Sequence, residues 1–226
     1  VFETVVHCAT VLATILVFWK EIWGLIQGFF KFRYNDETDY LLKIGVSMIP
    51  IFIVGIFFKD QIEAMFGSLL GVGIALLVTA ALLFFSDILG KQPAETKTVT
   101  RNGISWAQAI VVGIAQAFAA IPGLSRSGAT IATGLIAKVD RKAMAQFSFL
   151  MVLVPILGET FLDVVGGEMA ARSTGALQLC LGFVAAFLSG LFACKAMIAL
   201  VRRAKLRWFA LYCAIVGIIV IIFNIG

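Results

Sequence analysis

Long apolar runs separated by short polar stretches dominate this chain, and their lengths predict its elements. A helix needs roughly 20 apolar residues to cross the bilayer core. On that measure the sequence predicts crossings at about 4 to 19, 41 to 58, 67 to 89, 143 to 166, 175 to 201 and 206 to 225. Residues 104 to 137 behave differently: they are apolar, but Pro122 and Gly123 break them, and the second arm of about 14 residues is too short to cross comfortably. Residues 20 to 33 (KEIWGLIQGFFKFR) mix apolar and basic positions, which suits a helix lying in the interface.

Composition and charge sharpen this into a topology. The chain is 61% hydrophobic and 14% charged, against about half and about a quarter for a soluble domain, so the expected fold is an all-α polytopic membrane protein. The segment 104 to 137 is basic at both ends, with Lys97 and Arg101 before it and Lys138, Arg141 and Lys142 after it. Under the positive-inside rule both ends face the cytoplasm and the segment is re-entrant. Alternation then tests the other loops. Of the 18 Lys and Arg, only Lys59 and Arg172 fall in outer loops, while Arg126 and Lys195 lie within apolar segments. All the others are on the inner side. Lys195 is near the inner end of its helix and can snorkel to the headgroups; Arg126 sits at the turn of the re-entrant segment. The net charge of +5 is therefore a topology signal, and nucleic acid is not an expected partner. Cys8, Cys180, Cys194 and Cys213 lie in apolar segments without a C-x-x-C pair, which favours small buried or lipid-facing thiols over a disulfide or metal framework.

The spacing of the crossings suggests an internal repeat. The crossing that opens Phe2-Glu3 is followed by one centred near Ile51 and one entered through Phe66-Gly67; the crossing that opens Phe147-Ser148 is followed by one centred near Leu188 and one entered through Trp208-Phe209. Phe66 follows Phe2 by 64 residues and Phe209 follows Phe147 by 62. Three crossings per copy force the second copy to run inverted, a plan shared by many transporters. The expected organisation is one membrane domain over 1 to 226, with residues 1 to 90 in the first repeat and 91 to 226, including the hairpin 104 to 137, in the second. The repeat also leads us to expect about 40 residues upstream of Val1 holding a second broken hairpin whose turn would meet Arg126 near mid-membrane.

Irregular backbone at membrane depth is tolerated only where protein or a wet cavity satisfies its polar groups. In AIPGLSRSGATIATGL, residues 120 to 135, Gly123, Gly128 and Gly134 remove bulk and Pro122 ends the first arm. The second arm starts near Ser125, so its free N–H groups and positive dipole end favour an anion. Arg126 adds a planar fork of donors suited to phosphate, and Ser125, Ser127 and Thr130 add hydroxyls at the same turn. An intramembrane arginine points to function. The competing reading is an arginine paired with a carboxylate to lock the hairpin, with Ser and Gly allowing close helix packing.

P-G-L-S-R-S-G-A-T, with the Gln-containing arm before it and QFSFLMVLVPILGETFLD after it, resembles the second signature of the bacterial undecaprenyl-pyrophosphate phosphatase family, the bacitracin-resistance proteins. FETVVHCATVLATILVFW resembles that family's span after its first signature, and the likeness runs along essentially the whole chain. The resemblance implies a multi-pass enzyme of the bacterial plasma membrane that removes the terminal phosphate of undecaprenyl pyrophosphate. Its site would open to the outer face, and its product would be the carrier for cell-wall precursors. Carried over by motif position, Arg126 would bind the pyrophosphate, Ser125, Ser127 and Thr130 would hold its oxygens or assist transfer, and Gly123 and Gly128 would shape the pocket. Glu3 matches a family Phe-Glu pair and is a candidate lining residue. The family's first signature, with glutamates and a Ser-Ser-Thr-Gly-His run, is not in this sequence; the acid-base carboxylate, the family histidine and the ligands of a divalent cation (Mg or Ca) would belong there. The expected partners are the membrane and the lipid pyrophosphate, with a homodimer as a candidate assembly.

The other polar candidates fit structural roles first. His7, the single histidine, does not match the family's histidine and lies near the outer end of its crossing. Glu159 and Asp163 share a helix face in the outer part of theirs, as does Thr160 nearby, and interfacial solvation accounts for them. Trp19, Trp23, Trp106 and Trp208 fall at predicted boundaries, as aromatic belts do. The phenylalanines would face lipid or neighbouring helices, although a 55-carbon tail also needs an apolar groove. A transporter or flippase for an anionic solute or polyprenyl phosphate is the alternative, because inverted repeats and broken hairpins serve both.

Overall fold

The computed structural model describes residues 2–31, 33–65, 67–89, 103–165, 175–202 and 206–225, and every regular element among them is helical. The apolar runs become α1 (Phe2–Val17), α3 (Asp36–Phe57), α5 (Leu69–Leu89), α8 (Arg141–Val165), α9 (Ala176–Arg202) and α10 (Leu206–Ile225). Five of these helices are long and apolar enough to cross a bilayer; α1 passes that test only with α2 (Trp19–Phe29), from which it is bent by 78°. The chain is thus a multi-pass membrane protein. The interfacial stretch forms α2, where Trp19 and Trp23 stack at 5.7 Å and stay about half exposed. The outer loop predicted at 59 to 66 contains a one-to-two-turn helix, α4 (Lys59–Met65). The broken segment forms α6 (Trp106–Phe118), a turn, and α7 (Arg126–Ile136). Most of the polar loop at 90 to 103 lies outside the described residues.

Contacts divide the chain into two compact units, one of residues 1–33 and 150–199, the other of residues 34–149 and 200–226. The chain passes from one unit to the other after residues 33, 149 and 199, so each unit draws on both halves of the chain. In the first unit α1 and α9 pack through small residues: a Cβ on Gly190 would sit 3.2 Å from the Ala13 methyl, and Thr14 Oγ1 lies 3.6 Å from Cys194 Sγ. All four cysteines are free thiols.

The second unit positions the site. Its helices α5 and α10 approach closely at Gly73 and Gly217: a Cβ on Gly73 would meet Ile221 Cγ1 at 2.7 Å, and one on Gly217 the Gly73 carbonyl at 3.0 Å. Small residues let backbones come near where lipid offers no hydrophobic drive to associate. Leu83, Val112, Ile131, Leu135, Met144 and Phe147 are fully or almost fully buried in this unit, with Phe147 edge-on to Tyr40 at 5.6 Å.

The hairpin ends are tied together. Ser105 and Gln108 form a reciprocal capping box at the start of α6, and the same Gln108 side chain donates from Nε2 to the Ala137 carbonyl, 2.8 Å away, at the end of α7. The buried Lys43 ammonium of α3 donates to the Ile104 carbonyl at 2.8 Å, pairs with Asp39 at 2.6 Å and lies 5.7 Å from the Trp106 ring centroid. At the end of α5, buried Asp87 takes Arg141 Nη2 at 3.0 Å and the Arg207 backbone N–H at 3.4 Å, joining α5, α8 and α10. The charge pattern assigns every one of these ends to the same side of the membrane. Asp87→Asn should remove the anion while keeping the shape, leaving a mostly buried guanidinium uncompensated; a loss of about 2 kcal/mol is expected, read as a lower thermal unfolding midpoint in detergent.

Candidate functional site

Two short helices and the bend between them form the site. Ile121, Pro122, Gly123 and Leu124 make a turn closed by the Leu124 N–H on the Ile121 carbonyl at 3.1 Å, with Gly123 at φ +87°. Pro at the second position and a positive-φ glycine at the third are the signature of a type II turn. The turn lies against α5: a Cβ on Gly123 would come within 2.7 Å of the Val72 carbonyl oxygen. One step on, the Ser125 N–H donates to Thr79 Oγ1 at 3.2 Å, and that hydroxyl donates to the Ala75 carbonyl at 3.0 Å. Thr79 is fully buried and sits at the midpoint of α5, so the start of α7 lies near the middle of a membrane-crossing helix.

Ser125 is the N-cap of α7, its Oγ accepting from the Gly128 N–H at 3.1 Å, and the Ala129 N–H takes the first intrahelical bond to the Ser125 carbonyl. The Arg126 and Ser127 N–H groups, at the first two helical positions, have no partner among the described residues. They are two of the orphan donors a helix start presents. The Arg126 side chain is exposed, and no carboxylate among the described residues pairs with it. Ser127 is half-buried beside it. Around the bend the structure brings together a free guanidinium, two free amides and the hydroxyls of Ser125 and Ser127, with the helix dipole adding the same sign of field.

The glycines and Thr130 lie in packed surroundings. Gly123 shapes the bend through its turn. Gly128 is buried, and a Cβ there would meet Ser125 Oγ at 2.9 Å and Thr79 Cγ2 at 3.3 Å, so its smallness keeps α7 against α5. Thr130, expected to hold a ligand's oxygens, is fully buried: its hydroxyl bonds the Arg126 carbonyl at 2.9 Å and lies 2.6 Å from Ser148 Oγ on α8. One turn into the helix, it faces the packed side. The side chains of Glu3, Glu159, Thr160 and Asp163 lie outside the described residues. His7 is half-buried, one turn before Thr10, whose hydroxyl caps the His7 carbonyl at 2.8 Å. No three His, Cys, Asp or Glu side chains among the described residues group to hold a metal ion; the described residues do not fit a divalent-cation site.

Two features were not legible as site components. Thr79 holds the Ser125 amide across 46 residues, yet in sequence it is one hydroxyl in an apolar run. Thr79→Val should lower kcat/KM about ten-fold by leaving that amide unpaired, a cost of about 1–3 kcal/mol, whereas Thr79→Ser should stay near the parent; phosphate-release kinetics on the two variants check this. The second feature is a cavity of about 600 Å³ next to the bend, lined by Ile74, Ala75 and Val78 of α5, Phe118 of α6, Leu124 of the turn and Thr133 of α7, among others. Its lining is almost wholly apolar.

A model of the family described as bacitracin resistance protein BacA matches residues 1–219. A protein of Bacteroides fragilis named undecaprenyl-diphosphatase is 52% identical over 225 residues, covering 98% of this chain and 82% of the relative. One of the same name from Parabacteroides distasonis is 53% identical over 224 residues (97% and 82% covered), and one from Acinetobacter baumannii 35% identical over 222 residues (98% and 80%). The bend, its arginine and its glycines thus sit in a chain that is alike from end to end, and on that ground this chain belongs to the BacA family of bacitracin resistance proteins.

Proposed function

We propose that this protein is an undecaprenyl-diphosphatase, a hydrolase that cleaves the lipid pyrophosphate to undecaprenyl phosphate and inorganic phosphate. The observation that carries the reading is the Arg126 guanidinium beside two backbone amides, all without a partner among the described residues, at a bend level with the midpoint of a membrane-crossing helix. Such a cluster fits the oxygens of a diphosphate, and the adjoining apolar cavity fits the first isoprene units of its tail. The family and the names of the relatives support the same chemistry.

In the reaction, a water oxygen bonds to the terminal phosphorus as the bond to the bridging oxygen breaks; undecaprenyl phosphate leaves with that oxygen, and the proton the water loses passes to solvent. Charge spreads over the transferring phosphoryl oxygens, and fixed donors there lower the barrier without reorganising. Arg126 neutralises that charge as a planar fork. The Arg126 and Ser127 amides and the Ser125 and Ser127 hydroxyls orient the oxygens, with Ser125 donating its own proton while its oxygen caps α7. The site faces the outer side of the plasma membrane, as the inner-side bias of Lys and Arg supports.

The test is release of inorganic phosphate from undecaprenyl pyrophosphate by the purified protein in detergent micelles, where no gradient exists. A phosphatase releases phosphate there. A transporter shows activity only in sealed vesicles, and silence in micelles would overturn the reading.

A further inference from the structure

We infer that a second lipid site lies between α5 and α10 and holds an anionic glycerophospholipid. A cavity of about 710 Å³ opens there, lined by Ala80, Ala81, Phe84 and Phe85 of α5 and Arg207, Trp208 and Leu211 of α10, among others. Pockets of roughly 300–1,000 Å³ hold small ligands. It shares no lining residue with the cavity beside the hairpin. Its α5 lining runs from Ala80, the residue after Thr79, to Phe85, toward the end of the helix at Asp87. The alanines leave room between the helices. Phe84 and Phe85, their rings edge to face at 6.1 Å, and Leu211 supply apolar walls that are about half exposed.

One lining residue, Arg207, is charged. Asp87 accepts the Arg207 backbone N–H with one oxygen and Arg141 with the other. The Arg207 side chain is exposed and makes no ion pair among the described residues. Trp208 beside it is 59% exposed, the placement of an interfacial aromatic. An apolar groove ending in a free guanidinium and a tryptophan at headgroup level matches acyl chains ending in a phosphodiester monoanion. A zwitterionic lipid fills the groove but brings its own cation to the guanidinium, so charge complementarity selects the anionic one. This end is the one the charge pattern assigns to the cytoplasmic leaflet, away from the proposed hydrolytic site.

Quenching of Trp208 tests the site. The full chain carrying Trp19→Phe, Trp23→Phe and Trp106→Phe keeps Trp208 as its one tryptophan. In phosphatidylcholine vesicles, brominated phosphatidylglycerol should half-quench it at about one-fifth the mole fraction that brominated phosphatidylcholine needs. Arg207→Gln should bring the two curves together, Arg207→Lys should keep most of the separation, and Ala81→Phe, which fills the groove without touching the charge, should weaken quenching by both lipids. Coincident curves before Arg207 is changed would overturn the proposal. So would a preference that survives Arg207→Gln, or quenching indifferent to Ala81→Phe, which marks diffuse attraction to the basic surface.

Discussion

Arg126→Ala should lower kcat/KM for the lipid pyrophosphate by about a thousand-fold, roughly 4 kcal/mol of transition-state stabilisation. The size follows from where the guanidinium stands. It is exposed at the start of α7 and carries no ion pair among the described residues, so its charge is presented rather than matched there. The same fact predicts that the variant folds: its thermal midpoint should stay within about 2 °C of the parent, because no packed contact or buried pair is lost. Arg126→Lys should recover about ten-fold of the lost rate, since an ammonium restores charge without the planar two-pronged geometry. Steady-state phosphate release in micelles, paired with thermal unfolding of the same samples, separates a binding defect from a folding defect. Activity within ten-fold of the parent for Arg126→Ala would remove the anion site from the bend.

What the sequence reveals here depends on which physical constraint is local. Crossing a bilayer demands a continuous apolar run, so the six long helices fall within a few residues of the runs that predict them. Pro122-Gly123 is a local conformational statement, and the turn sits where those residues do. Longer-range facts stay hidden. Asp87 and Arg141 find each other across 54 residues, and no periodicity in either segment announces the pair. The direction of Thr130 depends on the rotation of α7 against α8: it is four residues from Arg126 and on the same helical face, yet Arg126 protrudes from the helix start while Thr130 is covered by the turn carrying Ser148. A motif that reads as one polar cluster is divided by burial into a presented part, Ser125, Arg126 and Ser127, and a buttress, Gly128 and Thr130. The two compact units were equally illegible, since they depend on which distant helices pack rather than on any segment's composition.

Gly123→Ala should be strongly damaging, because two independent penalties coincide. At φ +87° a residue with a Cβ pays about 1–2 kcal/mol for the left-handed region. The new methyl would also stand 2.7 Å from the Val72 carbonyl oxygen, 2.9 Å from Val72 Cα and 3.1 Å from Ala75 Cβ. Backbone atoms of a packed helix have no rotamer to escape into, and overpacking of this kind costs about 1–3 kcal/mol more. The expected total, about 2–5 kcal/mol, is best relieved by lifting the turn off α5. That movement would draw the Ser125 N–H away from Thr79 and carry Arg126 out of register with the phosphate. The variant should therefore lose thermal stability and most of its phosphate release together, unlike Arg126→Ala, which loses rate alone. Gly45→Ala is the control: Gly45 is exposed on α3 with nothing within 4 Å of its would-be Cβ, and no loss is expected. Gly123→Asn divides the two penalties, since Asn tolerates the left-handed region far better than Ala but carries the same Cβ. Whatever stability Asn recovers over Ala measures the strain, and whatever it leaves unrecovered measures how tightly the bend is pressed against Val72.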